Sequence, residues 1–242
     1  MSNKFSRRRF LVGGLIAGSG VALARDISGA VPLSSLRDGA PVPADVSVYT
    51  FFTAAEAAFV EATVARLIPA DERGAGALEA GCAHFIDNQL AGAYGNAQGL
   101  YMHGPWPAGT PQQGYQSRQT PAEIYRAAIA AIDDDCREQF AGKTFAQLPA
   151  AEQDQQLTQL EQGKLDLGGI KSDAFFQRLL QNTVEGFFAD PIYGGNRDMI
   201  GWKLIGFGGA RYDYSDWVER HGEAYPLPPV GLKGRPEWTP KT

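Results

Sequence analysis

Asp190, Arg197, Asp198 and Lys203 stand close together in a stretch rich in glycine and aromatic rings. Carboxylates and cations in such a group can serve as acid, base and electrostatic clamp, which suits a self-sufficient hydrolase or a sugar-acid-binding protein. Charged residues that only fix loops by hydrogen bonding look the same in sequence, and no set with assigned acid, base and electrophile emerges. Cys82-Ala83-His84 offers two metal-type ligands but has no second pair to complete a site. His84, His103 and His221 are widely separated and read as core or surface residues. Asp133, Asp134 and Asp135 are consecutive on an expected helix, so their side chains diverge and read as a solvated acidic face. Gly206-Phe207-Gly208-Gly209-Ala210-Arg211 lacks the third glycine of a phosphate loop and follows no strand. There is no nucleophile elbow, no haem-attachment motif and no four-cysteine set. The chain therefore reads as holding no catalytic residue, cofactor or metal of its own.

These side chains need a scaffold, and the scaffold reads as helical. Thr53-Ala54-Ala55-Glu56 is a capping box that opens a helix over 54–68, stopped by Pro69. Phe59, Val60, Val64, Leu67 and Ile68 lie on its apolar stripe. A second helix is expected over 76–91, with Leu78, Cys82, Phe85, Ile86 and Leu90 inward. Residues 92–119 break the pattern and read as a long aromatic loop. Thr120-Pro121-Ala122-Glu123 opens the next helix with proline at its first position. Ile124, Ala127, Ala128, Ala131 and Phe140 are its inward set. A helix over 150–162 anchors through Leu157 and Leu160 and exposes its Gln, Glu and Asp residues. Ser172 caps a strong helix over 173–189, with Phe175, Phe176, Leu179, Leu180, Val184 and Phe187 on its apolar side. No run of alternating strands is present, so the fold class is mainly α: an irregular bundle of about five or six helices with long loops.

The N-terminus reads as an address. Arg7 and Arg8 precede Phe10 and a weakly apolar, glycine-bearing run to Ala24. That run is shorter than the ~20 residues of a membrane span. It resembles a twin-arginine export signal cleaved after Ala24. Residues 1–24 are then the signal, 25–50 a linker or extended arm, and 51–242 one helical domain. Removing Lys4, Arg7, Arg8 and Arg9 with the signal takes the net charge from −5 to −9. So acidic a body argues against a nucleic-acid backbone as the main partner. Export would place the protein in the periplasm. In that oxidising compartment Cys82 and Cys136 can pair as a disulfide; two free buried thiols are the alternative.

The last third differs in kind. Phe187, Phe188, Tyr193, Trp202, Phe207, Tyr212, Tyr214, Trp217 and Tyr225 are interleaved with glycines, and one short helix fits over 197–203. Rings on a loop framework suit a partner surface or a lid folded onto the bundle. Phe188, Asp190, Pro191, Tyr193, Asn196, Trp202, Phe207, Tyr212 and Trp217 are the expected interface residues.

The stretch from Asn182-Thr183-Val184-Glu185-Gly186-Phe187-Phe188-Ala189-Asp190-Pro191 through Ile192-Tyr193-Gly194-Gly195-Asn196-Arg197-Asp198-Met199-Ile200-Gly201-Trp202-Lys203 to Arg211 resembles the signature of the gluconate 2-dehydrogenase subunit 3 family. Thr120–Arg126 and the twin-arginine start agree with it. One departure is Gly208, where a proline is typical. The resemblance implies a small subunit without a cofactor. Its partners would be an FAD-containing dehydrogenase of the glucose–methanol–choline type and a multihaem cytochrome c. It would stabilise the flavoprotein and accompany it, folded, through the twin-arginine translocase to the periplasmic side of the inner membrane. Gluconate or a related sugar or sugar acid would be the substrate of the complex.

Overall fold

The structure is a computed structural model that describes residues 48–107, 109–110 and 117–234. Arg7, Arg8, Phe10 and Ala24 lie outside the described residues, as does most of the expected linker. Among the described residues there are six α-helices and no sheet. They are α1 (Ala54–Leu67), α2 (Cys82–Ala91), α3 (Pro121–Gln139), α4 (Ala150–Glu161), α5 (Ser172–Phe188) and α6 (Ile200–Ile205). Short 3-10 turns at Phe145–Gln147, Pro191–Tyr193, Arg197–Met199 and Ser215–Trp217 punctuate the chain.

Two helices start as their sequences dictate. Thr53 N donates to Glu56 Oε2 at 2.8 Å, and Glu56 N donates to Thr53 Oγ1 at 3.3 Å. The same reciprocal pair joins Thr120 and Glu123 at the head of α3. Each box satisfies amide donors that the first helical turn leaves free. The core forms where apolar stripes meet. Helix α5 touches α1, α2, α3, α4 and α6, so it is the hub of the bundle. Its Phe175, Phe176, Leu179 and Phe187 are buried, against Tyr125 of α3 among others. Phe59 of α1 packs on Phe145 with ring centroids 4.9 Å apart. Arg66 clasps both oxygens of Asp154 at 2.7 Å, tying α1 to α4.

Tyr125 is fully buried and accepts from Asn182 Nδ2 at 2.9 Å. Burial, chiefly, drives its phenol well above the ordinary range. This pair, with Tyr94 accepting from Arg178 at 3.0 Å, is a polar seam inside the bundle.

Several expectations need correction. Helix α2 begins at Cys82, because left-handed Gly81 (φ 76°) precedes it and residues 77–81 form turns. Leu78 is consequently 41% exposed and not part of the core. The inward set of α3 is Ile124, Tyr125, Ala128, Ile129, Ile132 and Cys136, while Ala127 faces solvent. Asp133 is not solvated: it is buried, and its Oδ1 accepts from Phe145 N at 2.9 Å. Burial raises its carboxyl above the ordinary value, against the lowering effects of the Phe145 amide and Arg137. On α4, Gln153 and Gln156 are buried alongside Leu157 and Leu160. Ser172 is the first residue of α5, and Lys171 stands at the cap.

The expected disulfide is absent. Cys82 and Cys136 are free, buried thiols. Cys82 opens α2, its amide bonded to the Ala77 carbonyl, and Cys136 lies near the far end of α3, where Phe140 N caps its carbonyl. Each packs as a small apolar residue of its own helix. Burial pushes both thiols up to about 12, with Asp133 and Asp135 adding to the effect at Cys136.

Candidate functional site: the C-terminal strap

The chain leaves α5 at Ala189 and turns back on itself around Asn196. This side chain is fully buried, in a left-handed backbone conformation (φ 46°) that asparagine tolerates. Its Nδ2 donates to the Ala189 carbonyl at 2.8 Å, and its Oδ1 accepts from Gly201 N at 2.8 Å. One residue thus staples the end of α5 to the start of α6. Gly201 must be glycine here: a Cβ would sit 2.0 Å from the Phe187 carbonyl oxygen. Trp202 is buried too, and its indole Nε1 donates to the Phe188 carbonyl at 2.8 Å. Arg197 N donates to the Ala80 carbonyl at 2.9 Å, docking the turn on the residues before α2.

Asp190 is the second fastening. Its Oδ1 accepts from Ile192 N at 3.0 Å, capping the Pro191–Tyr193 turn. Its Oδ2 accepts from Leu232 N at 2.7 Å, 42 positions along the chain. Asp190 therefore holds the far end of the strap against the α5 exit.

A third fastening closes a loop over 210–229. Ala210 N donates to the Val230 carbonyl at 2.6 Å, and Val230 N donates to the Gly208 carbonyl at 3.2 Å. Val230 is buried in this neck. A Cβ on Gly208 would meet Tyr214 Oη at 2.8 Å and the Tyr225 ring at 2.9 Å. Glycine at this position thus makes room for the loop's own rings.

The nine expected interface residues now sort themselves. Tyr193, Phe207 and Tyr212 are exposed, Tyr212 completely. Phe188, Asp190, Pro191 and Trp217 are half-buried. Asn196 and Trp202 are interior, and this corrects their assignment to a surface: their polar atoms are spent on the chain's own backbone. Ile205 and Leu232, 56% and 61% exposed, join the exposed set without having been foreseen. A bare aliphatic residue at a helix end or in a loop carries no sequence signal of exposure.

The members of the charged quartet have different surroundings in three dimensions. Asp190 has both oxygens occupied by backbone amides. Asp198 and Lys203 are exposed on successive turns. The open cleft in this region, about 390 Å³, is walled by Asp213, Tyr214, Asp216, Trp217, Arg220, Tyr225, Pro226 and Leu227, none of them from the quartet. Among the described residues no three His, Cys, Asp or Glu side chains group as metal ligands. No described helix is long and apolar enough to cross a membrane.

A second polar cluster sits where the described chain begins. Buried Asp87 of α2 accepts from Thr50 N, Thr50 Oγ1, Phe51 N and Phe52 N at 2.7–2.9 Å. Tyr49 stacks on His84 at 4.4 Å and donates to Glu61 at 2.6 Å. Burial first, then the Glu61 bond, raises the Tyr49 phenol. Sequence periodicity did not reveal this clamp, because Asp87 looks like any polar residue on a helix.

No curated protein and no solved structure matches this chain. The family model for gluconate 2-dehydrogenase subunit 3 matches residues 54–209, from the first turn of α1 to the neck of the strap. The match takes in the whole bundle and the Asn196 staple, and the chain belongs to the gluconate 2-dehydrogenase subunit 3 family.

Proposed function

We propose that this chain is the non-catalytic small subunit of a periplasmic FAD-dependent dehydrogenase complex of the gluconate 2-dehydrogenase type. Its work is to stabilise the flavoprotein subunit and to escort it, folded, through the twin-arginine translocase. The observation that carries this reading is the family match across the bundle and the α5–α6 turn. The geometry supports it in two ways. The polar groups of the strap, Asp190 and Asn196 above all, are committed to holding backbone and not to meeting a substrate. The apolar side chains of Tyr193, Ile205, Phe207 and Leu232 stand exposed on that rigid frame. Exposed rings on a fixed backbone give contact area at little entropic cost.

In this reading FAD and the catalytic base belong to a glucose–methanol–choline-type subunit, and a multihaem cytochrome c carries electrons onward to the membrane quinone pool. The substrate is gluconate or a related sugar or sugar acid. Co-expression with a flavoprotein subunit of that type tests the assignment. The expected result is a complex that carries flavin, while the solitary chain carries none and turns over no sugar acid. A solitary chain that is stable, soluble and indifferent to the flavoprotein would refute it. The export half is tested separately: Arg7→Lys with Arg8→Lys should retain both subunits in the cytoplasm.

A further inference from the structure

From Asn88 to Ser117 the sequence contains no Asp, Glu, Lys or Arg. That is 30 residues in a chain that is 20% charged, where about six charges would be expected. Within this stretch lies an exposed loop, residues 98–107, in which every residue but half-buried Met102 faces solvent. Leu100 is 46%, Tyr101 84% and Trp106 38% exposed, and Pro105 and Pro107 flank the indole. None of these residues belongs to the strap.

The loop is fastened at its root. Tyr94 accepts from Arg178 and Asn182 of α5, at 3.0 and 3.2 Å, and Ala122 N donates to the Gly95 carbonyl at 3.1 Å. Nearer the tip, a Cβ on Gly104 would stand 2.5 Å from the Trp106 ring, so glycine is what lets the indole close on this backbone. Arg118 lies over the same ring at 5.4 Å.

This chemistry suits the surface of a bilayer. Tyr and Trp rings settle at the headgroup level, where an apolar body meets hydrocarbon and a polar edge stays wet. Charged side chains enter that layer at a high cost, and the loop has none. Arg118 at its base can rest its apolar stem on the indole while the guanidinium reaches a lipid phosphate. With the signal removed the chain has nine more acidic than basic residues, and a neutral patch brings so acidic a body to a membrane at least electrostatic cost. A protein partner is matched differently. Its face is set in register by a polar rim and complementary charges, and the stretch from Asn88 to Ser117 offers no charge to set it.

We propose that the 98–107 loop is a membrane-contact site, with Leu100, Tyr101 and Trp106 entering the headgroup–hydrocarbon boundary of a bilayer and Arg118 on a lipid phosphate. The contact is interfacial and does not cross the membrane. It goes beyond the subunit assignment and does not rest on it, because lipid alone is the ligand; either can fail alone.

Neutral vesicles of phosphatidylcholine brominated on its acyl chains test the proposal with the full chain, since bromine there quenches an indole that reaches the hydrocarbon boundary. The expected result is quenching of tryptophan fluorescence that is lost in Trp106→Phe. Leu100→Asp with Tyr101→Asp should cut it at least fivefold, with melting curves checking the fold of each variant. The quenching should persist in about 1 M salt, where the Debye length is ~3 Å. Equal quenching in Trp106→Phe, undiminished quenching in the double variant, or its loss in salt would each overturn the proposal. Absence of quenching together with loss of the flavoprotein subunit from the double variant would overturn it too, and make the loop a protein interface.

Discussion

The bundle over 54–188 and the strap over 189–234 are held together by different physics. In the bundle, side chains meet side chains: Phe59 on Phe145, and Tyr125 on Phe175. In the strap, side chains hold backbone. Asn196 bridges Ala189 to Gly201, Asp190 holds Ile192 and Leu232, Trp202 holds Phe188, and Tyr214 donates to the Gly209 carbonyl at 2.6 Å. Burial stabilises the first region by removing apolar area from water. The second buries fewer side chains, Trp202 and Val230 among them, and relies more on a few directional bonds. The comparison suggests a division of labour. A region that spends its apolar groups on itself supplies stability. A region pinned through its polar groups can leave apolar groups exposed.

The division predicts graded outcomes. Phe59→Ala removes a ring that is 1% exposed at the α1–Phe145 contact. It should cost about 3–5 kcal/mol of global stability, read by denaturant unfolding. If the cost stayed below 1 kcal/mol, the bundle would not be the stabilising region. Asn196→Ala should cost less, about 2–3 kcal/mol, since it removes two bonds and puts alanine in a left-handed backbone. Its signature should be local. Hydrogen exchange at residues 189–205 should accelerate, and Trp202 fluorescence should report the loosened staple, while the helical melt moves much less. A melt displaced as far as by Phe59→Ala would show that strap and bundle are one cooperative unit.

A smaller effect concerns pH. The folded Asp133 carboxyl is raised above 3.8, mainly by burial. The folded state therefore holds this proton to higher pH than the unfolded chain does. The stability linked to that proton is full below 3.8 and is lost as pH rises through the folded value. Asp133→Asn keeps an acceptor for Phe145 N and should flatten the fall of stability as pH rises above 3.8. An unchanged slope would mean that Asp133 titrates as if solvated. The smallest effect is none at all. With both thiols buried and pushed up to about 12, a mild reductant should leave the melting temperature unchanged, and alkylation at neutral pH should require unfolding. A reductant-dependent melt would restore the disulfide.

The same contrast explains what could be read in the sequence. Helices α1, α3 and α5 were legible because periodicity and capping boxes are local signals. The start of α2 was not: the break is a left-handed Gly81, and a glycine before a helix does not declare its φ. Asp133, Gln153 and Gln156 looked like a solvated face because their burial is imposed by the Phe145 turn and neighbouring helices. In the strap, residue types did not separate buried members from exposed ones. Asn196 and Trp202 were read as surface residues, and nothing local distinguishes a buried staple from an exposed contact. The bond between Asp190 and Leu232 spans 42 positions and has no period to betray it.

The central claim is that the strap is a frame for a partner. Tyr193→Asp with Tyr212→Asp places charges on two exposed rings, Tyr193 53% accessible and Tyr212 completely so. The decisive measurement is the flavin recovered when this double variant is co-purified with the flavoprotein subunit, relative to the unchanged chain. The account predicts a loss of at least tenfold with an unaltered melting curve. Undiminished flavin recovery would contradict it.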